Sequence, residues 1–219
     1  GAALIESLEA ANRDYFPLCA YAATDLLLPN VATAQAIKQL KLNEPELAAE
    51  LNGLIREEIA QLEAVAKPDG GWGWFSGYGE RSYPHTTAYV VHGLQISRLN
   101  DVILPGGMLE RGIRWLQNYQ NKQIERLLRY DLKKKDGKRH ADNLDAFVYM
   151  VLVDENSESK DMRNYLYRDR NQLAVYAKAM FGVALHKMED TEKLAMILQN
   201  IEQYLVQDDE NQTAFLNLP

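Results

Sequence analysis

Apolar residues recur at helical spacing along most of the chain. The repeat of three and four residues is the one that places side chains on a single face of an α-helix. Its members are Leu47, Leu51, Leu54, Ile55, Ile59 and Leu62; Leu109, Ile113 and Leu116; Leu144, Phe147, Val148 and Val151; Leu173, Ala177, Met180 and Ala184; and Leu194, Ile197, Leu198, Ile201 and Leu205. No comparable strand-like alternation occurs. We therefore predict an all-α fold, with the last stripe helical through Leu205.

Turn signals separate these stripes. Asn43-Glu44-Pro45-Glu46 supplies an N-cap candidate, a proline and two acids where a helix start favours them, and Lys67-Pro68-Asp69-Gly70-Gly71 ends that helix. Pairs of a small residue followed by an aromatic residue recur within the predicted helices. This recurrence favours stacked helical hairpins. These pairs are Ala20-Tyr21, Ala88-Tyr89, Ala146-Phe147 and Val175-Tyr176. We predict an α/α toroid forming one domain over residues 1–219, with an up-down bundle as the alternative.

Composition narrows the possible partners. The formal net charge of -7 disfavours nucleic acid and anionic membrane, because affinity for phosphates comes largely from Lys and Arg. No apolar run approaches the ~18 residues of a membrane span. Cys19 is the one cysteine, so no internal disulfide forms. The start at Gly1, without methionine, leads us to expect an excised piece of a longer protein.

The conspicuous local motif is Pro68-Asp69-Gly70-Gly71-Trp72-Gly73-Trp74-Phe75. Glycines permit close backbone approach and aromatic rings bury large areas, so the motif predicts an ordered loop packed against helix ends. Both Trp72 and Trp74 are expected to be largely structural. The alternative is an aromatic platform for a ligand or a partner surface.

Titratable residues do not form a recognisable catalytic or metal motif. The histidines are His85, His92, His140 and His186, and none belongs to the helical His pair of zinc hydrolases. His140 with Asp142 and Asp145 resembles a set of metal ligands, but acids at a helix start are expected to cap the helix. Cys19, among apolar neighbours, is expected to be an inert thiol. We predict no catalytic residue, metal or cofactor.

Three sequence segments, in the same order along the chain, resemble the thioester domain of bacterial alpha-2-macroglobulins. They are the stretch from Tyr15 through Pro29 and Asn30, the loop Asp69-Gly70-Gly71-Trp72-Gly73-Trp74, and Thr87-Ala88-Tyr89-Val90-Val91 with Gly93-Leu94. Family members usually have a Tyr-Pro segment, a Cys-x-Glu-Gln thioester motif, a helix ending near Leu-Pro, a Gly-Gly-Trp-Gly-Trp loop and a Leu-Thr-Ala-Tyr-Val helix. The spacing from Cys19 to Pro29 matches that pattern.

The chain departs from the family at the thioester itself. In the family, the thioester joins the cysteine sulfur to the side-chain carbonyl of a glutamine three residues later. The resemblance places that cysteine at Cys19, and this chain has Ala22 at the glutamine position. Tyr21 stands where glutamate is usual. Because alanine has no acyl group, the resemblance implies a degenerate thioester position at Cys19, Tyr21 and Ala22.

The resemblance implies a non-catalytic structural and interaction domain of an endopeptidase inhibitor in the bacterial cell envelope, periplasm or outside the cell. Its implied partners are the other domains of the same polypeptide and target proteases. The family domain is longer, so a terminal part is expected to lie outside this chain. The alternative is an α/α toroid enzyme, such as a terpene cyclase, a prenyltransferase or a carbohydrate-active protein. The acid motif that the cyclases and prenyltransferases need is missing here.

Overall fold

A computed structural model describes residues 19–75, 79–208 and 210–217 of the chain. The chain divides into two compact units, Gly1–Leu116 and Gln117–Pro219. Within the described residues the secondary structure is eight α-helices, one short 3-10 helix and one pair of strands. The predicted fold class is confirmed: the protein is mainly α, and its helical content is consistent with an α/α toroid.

Over residues 19–75 and 79–116, the first unit contains three complete helices and the start of a fourth. These are α1 (Ala20–Gln39), α2 (Pro45–Val65), α3 (Pro84–Leu99) and α4 (Met108–Asp131), of which residues up to Leu116 belong to this unit. Helix α1 packs against both α2 and α3. The predicted stripe of α2 supplies Leu51, Ile55, Ile59 and Leu62 to the core, all buried. The periodicity therefore located the inward face of α2.

Prolines begin two of these helices. Pro45 and Pro84 occupy the first helical position, where a missing N–H costs nothing because that group would have no partner in the helix. Glu44 is the residue that precedes α2, and it makes no side-chain capping bond. The proline, rather than a polar cap, therefore marks this helix start.

Helix α1 continues through Pro29 to Gln39 and does not end at the Leu28-Pro29 pair as the family pattern implied. Proline removes one helical hydrogen bond, but Leu27 and Val31 are almost fully buried on either side of it. The Thr33 hydroxyl also donates to the Pro29 carbonyl at 2.8 Å. The burial of Leu27 and Val31 stabilises the helix enough to offset the backbone hydrogen bond that Pro29 removes.

The second unit contains the remainder of α4, four further helices and a hairpin. The elements are α5 (Asn143–Val153), α6 (Lys160–Arg168), a 3-10 turn (Arg170–Gln172), α7 (Val175–Lys187), α8 (Thr191–Glu202), β1 (Leu205–Asp208) and β2 (Thr213–Leu216). Helix α5 is buried on every side from Asp145 to Val153 and packs against α6 and α7, while α7 packs against α8. In the core, Tyr149 meets Phe181 edge to face at 5.8 Å. Helix α5 is thus the central element of this unit.

The expectation of no strands is wrong at the end of the chain. Helix α8 ends at Glu202, and Leu205, predicted to be helical, begins β1. The strands are antiparallel, with Leu205 opposite Leu216 and Asp208 opposite Thr213. The Asp208 carboxylate accepts from the backbone N–H of Asn211, which organises the turn. Local turn chemistry overrides the helical spacing here.

Candidate functional site

Cys19 lies at the start of α1. It is the N-cap residue, with extended backbone (φ -108°, ψ 118°), and its carbonyl accepts the Ala23 N–H at 3.0 Å. Its backbone pairs with Phe75 in an isolated antiparallel bridge. The thiol is free and half-buried. The sequence-predicted site residue and the glycine-tryptophan loop therefore meet at the first turn of α1.

The next two positions differ in their contacts. Ala22 is exposed and presents only a methyl group. Tyr21 is half-buried and stacks on three rings, with centroid distances of 4.5 Å to Tyr89, 5.9 Å to His85 and 6.5 Å to Trp74. We call Tyr21, Trp74, His85 and Tyr89 the aromatic ladder. It joins α1, the loop and α3 through side-chain contacts.

Helix α3 is held close to α1 at two points. The Tyr89 hydroxyl donates to the Asp25 carboxylate at 2.5 Å. Burial, together with this bond to a negative acceptor, raises the pKa of Tyr89, so the phenol stays protonated. Four residues on, a Cβ at Gly93 would lie 2.8 Å from the Thr24 methyl group. The glycine after the Thr87-Tyr89 motif therefore permits the close contact of the two helices.

Trp72 anchors the loop in the core. Its side chain is 1% exposed, and its ring N–H donates to the Leu62 carbonyl at 2.8 Å. Its backbone N–H donates to the Thr87 hydroxyl at 3.0 Å. A Cβ at Gly112 would lie 2.9 Å from the indole. The structural role predicted for this tryptophan agrees with these contacts.

Asp69 stabilises the loop through the hydrogen bonds that its carboxylate accepts. Its carboxylate accepts from the Ser82 hydroxyl at 2.6 Å, the Trp115 ring N–H at 2.9 Å and the Gly71 N–H at 3.1 Å. Burial raises the pKa of Asp69, but these bonds together outweigh it and hold the pKa below its ordinary value. The acid of the motif is thus a structural acceptor that is ionised at neutral pH.

Two loop glycines are required by their surroundings. Gly70 has a positive φ of 92°, and a Cβ there would lie 2.9 Å from the Arg111 carbonyl oxygen. At Gly73 a Cβ would lie 2.6 Å from Glu80 and 2.8 Å from the Arg81 carbonyl oxygen. Larger residues would force the backbone apart at both positions.

Trp74 is far more exposed than Trp72. Its side chain is 52% exposed, and Phe75 beside it is 46% exposed. The ring keeps stacking contacts with Tyr21 and lies edge-on to Tyr83 at 6.4 Å. Part of the Trp74 ring therefore packs against protein, while about half of its surface is open to water.

In the second unit, the His140 region is a helix cap. Asp142 is the N-cap of α5 and accepts from the Leu144 and Asp145 N–H groups, while Asp145 accepts from the Asp142 N–H, forming a capping box. The capping role predicted for both acids is confirmed. The His140 ring lies 3.7 Å from the Asp169 carboxylate. Over residues 19–75, 79–208 and 210–217, no cluster of three or more His, Cys, Asp or Glu side chains is arranged to hold a metal ion.

Lys138 neutralises this cap. Its ammonium lies 2.5 Å from the buried Asp145 carboxylate and 2.7 Å from Asp142. Burial and the Asp142 charge raise the pKa of Asp145 against the opposing effect of Lys138. The contacts explain this group of charges as a structural network.

A concavity of about 360 Å³ also lies in the second unit, lined in part by Ile124, Leu128, Tyr165 and Arg168. The Arg168 guanidinium bonds to Asp131 at 2.9 Å and to Asp169 at 2.7 Å. The charge of Arg168 is therefore already compensated by two carboxylates of the chain.

The fold and the site geometry can be compared with solved structures. A crystal structure of a Salmonella alpha-2-macroglobulin mutant matches 87% of this chain with a TM-score of 0.66 and 19% sequence identity. A cryo-EM structure of native Escherichia coli alpha-2-macroglobulin matches 91% with a TM-score of 0.63 and 20% identity. The chain has the fold of a segment of bacterial alpha-2-macroglobulin.

A third structure, of Escherichia coli alpha-2-macroglobulin from domain MG7 to the C-terminus, matches 83% of the chain with a TM-score of 0.61 and 20% identity. This chain spans 12% of the first two matched chains and 28% of the third. No protein-family model and no curated protein sequence matches it. The comparisons thus establish the fold that the alpha-2-macroglobulin resemblance implied.

Sequence reasoning missed the ladder partners of Tyr21 and also missed Glu58. Tyr89 and His85 are four residues apart, which places both on one face of α3.

Glu58 follows Leu51 by seven residues and precedes Leu62 by four. Its position on the apolar face of α2 could therefore have been predicted from the spacing of the apolar residues.

Proposed function

We propose that the chain is a non-catalytic structural and interaction domain of an alpha-2-macroglobulin-like protease inhibitor, without a functional thioester. The fold match to bacterial alpha-2-macroglobulins supports the general assignment. The residues at the start of α1 support the loss of covalent chemistry. On this proposal the whole chain, residues 1–219, is thioester-domain-like and forms part of a larger multidomain protein.

The observation that carries the proposal is the combination of a free Cys19 with Ala22 on the next turn. A family-type thioester forms when a cysteine sulfur attacks a glutamine side-chain amide, creating the S–C bond and releasing ammonia. Ala22 has neither the carbonyl carbon nor the amide leaving group. This route therefore cannot produce the acyl donor needed to capture a protease covalently.

The aromatic ladder supports a non-covalent role for the same region. Tyr21 is packed between the loop and α3, so the residue that replaces the family glutamate contributes contacts rather than a charge. The half-exposed Trp74 and Phe75 extend these contacts to the surface. Exposed aromatic side chains of this kind are typical of surfaces that contact other proteins.

The proposed partners are other domains of the parent polypeptide and, through them, target proteases. The matched structures are much longer than this chain, which supports an intramolecular partner. We propose an extracytoplasmic location in the cell envelope. Within the described part of the chain, no helix is both long enough and apolar enough to span a bilayer.

The proposal can be tested on the parent polypeptide by incubating it with an endopeptidase. We expect protection of large protein substrates by physical entrapment, while a small chromogenic substrate is still cleaved. Denaturing gels are expected to contain no adduct between the protease and the chain. Cys19→Ala is the matched control and is expected to behave as the wild type.

Two results would contradict the proposal. An adduct that survives denaturation and disappears in Cys19→Ala would establish covalent capture through the thiol. Unrestricted cleavage of large substrates by the treated protease would remove the inhibitory function altogether.

A further inference from the structure

Glu58 is a carboxyl group buried between helices of the first unit. It lies on the apolar face of α2 with Ile55, Ile59 and Leu62, and its residue is 5% exposed. Burying a carboxylate without a compensating positive charge is costly. The ionisation state of this side chain therefore bears directly on the packing of the unit.

The contacts of Glu58 are only partly complementary to a charge. Its Oε1 accepts the Asn30 side-chain amide of α1 at 2.8 Å. Its Oε2 is inaccessible to solvent and has no hydrogen-bond partner among the described residues. One neutral donor does not replace the hydration that an ionised carboxylate loses on burial.

Asn30 lies in the middle of α1, directly after the proline of that helix. Pro29 lacks an N–H and interrupts the helical hydrogen-bond series. The Asn30 to Glu58 contact joins α2 to the turn of α1 that lacks this backbone hydrogen bond.

The charged groups around this contact do not stabilise an anion. Burial raises the pKa of Glu58 to about 7; the Asn30 bond opposes this shift and the neighbouring Glu57 adds to it. On α1, Asp25 is also an acid and is bonded to Tyr89, while Lys38 pairs with the exposed Asp101 at 2.6 Å. No cation of α1 or α2 is paired with Glu58 among the described residues.

We propose that the buried Glu58 side chain is a proton-sensitive joint between α2 and α1: the two helices pack tightly when Glu58 is neutral and loosen when it ionises, because the single Asn30 donor does not replace the hydration that the anion loses. The joint does not depend on the proposed function. It acts on the helix that also carries Cys19 and Tyr21, so a change of pH is expected to alter the mobility of the helix on which the candidate site is built.

The direction of the effect follows from linkage. The folded state holds its proton to a higher pH than the unfolded state, so the stabilising contribution is fully present below the ordinary pKa of 4.5. It is lost as pH rises from that value through the folded-state pKa of about 7. Alkaline conditions are therefore expected to favour local opening.

Hydrogen exchange, expressed as protection factors to remove intrinsic pH effects, tests the joint. Between about pH 5.5 and about pH 8, protection in α1 and α2 is expected to fall roughly tenfold or more in the wild type. Glu58→Gln keeps the side-chain shape without a titratable group and should abolish this change. Glu50→Gln, on the same helix but exposed, should retain it.

A pH response that is the same in the wild type and in Glu58→Gln would overturn the proposal. Carbon NMR of the Glu58 carboxyl group in the wild-type protein is a second test, and it does not require the variant to fold. A Glu58 titration midpoint near 7 supports the joint, whereas a midpoint near the ordinary value of 4.5 refutes it.

Discussion

Replacing Trp72 with alanine should destabilise the first unit far more than the same change at Trp74. Both residues belong to one short loop, but Trp72 is 1% exposed and Trp74 is 52% exposed. The Trp72 indole also bonds to the Leu62 carbonyl at 2.8 Å. The two substitutions therefore remove the same side chain from two different environments.

The expected cost of Trp72→Ala is about 3 to 5 kcal/mol, the range for deleting a large buried aromatic side chain. Part of this cost comes from the Leu62 carbonyl, since a buried acceptor left without its donor costs about 1 to 3 kcal/mol. Trp74→Ala loses ring stacking on Tyr21 and only about half the burial of a core tryptophan, so a cost of about 1 to 2 kcal/mol is expected.

Urea denaturation followed by far-ultraviolet circular dichroism would measure both values without relying on tryptophan fluorescence. The relevant transition is the one that unfolds the first unit, because both residues belong to it. Trp72→Phe is the matched control and should recover part of the lost stability. Equal costs for the two alanine variants, or a cost below about 1 kcal/mol at Trp72, would refute the argument from burial.

Substitutions at Gly93, Asp142 and Asp69 test the packing of α1 on α3, the cap of α5 and the bonding of the loop. Gly93→Ala should destabilise the protein by about 1 to 3 kcal/mol, because the new Cβ would lie 2.8 Å from the Thr24 methyl group; a more stable variant in thermal melts would contradict this. Asp142→Ala should cost about 0.5 to 2 kcal/mol by removing the cap of α5, whereas Asp142→Asn should retain most of it, and equal urea midpoints for all three proteins would disprove the cap's role. The lowered pKa of Asp69 stabilises the fold above its ordinary pKa of 3.8, and this contribution is lost as the pH falls through the folded pKa. Asp69→Asn should flatten the acid limb of the stability profile, and an unchanged acid limb would argue against the bonding role of this carboxylate.

The sequence could predict the elements whose signals are local and mutually consistent. The stripe of α2 and the acids of the α5 capping box both specify structure through nearby residues. The sequence predicts the capping acids and the four buried residues Leu51, Ile55, Ile59 and Leu62, whereas Leu47 of the same stripe is 42% exposed. The glycines of the loop were expected to permit close contacts, and Gly73 does so against Glu80.

The sequence could not predict features that depend on distant packing. Trp72 and Trp74 each follow a glycine in the same short loop, and the contacts that distinguish the buried ring come from residues distant in sequence, such as Leu62 and Gly112. Pro29 favours the end of a helix locally, yet tertiary contacts carry α1 through it. The aromatic ladder likewise forms only when α1, the loop and α3 are brought together.

The most direct test of the central claim is the intact mass of the natively purified protein, measured before and after treatment with methylamine. The absence of an acyl donor at Ala22 predicts the mass of the full sequence in both samples, and uptake of one alkylating group at Cys19 after denaturation without prior amine treatment. A species lighter by one ammonia, resistant to alkylation until methylamine adds to it, would establish an internal thioester and contradict the account.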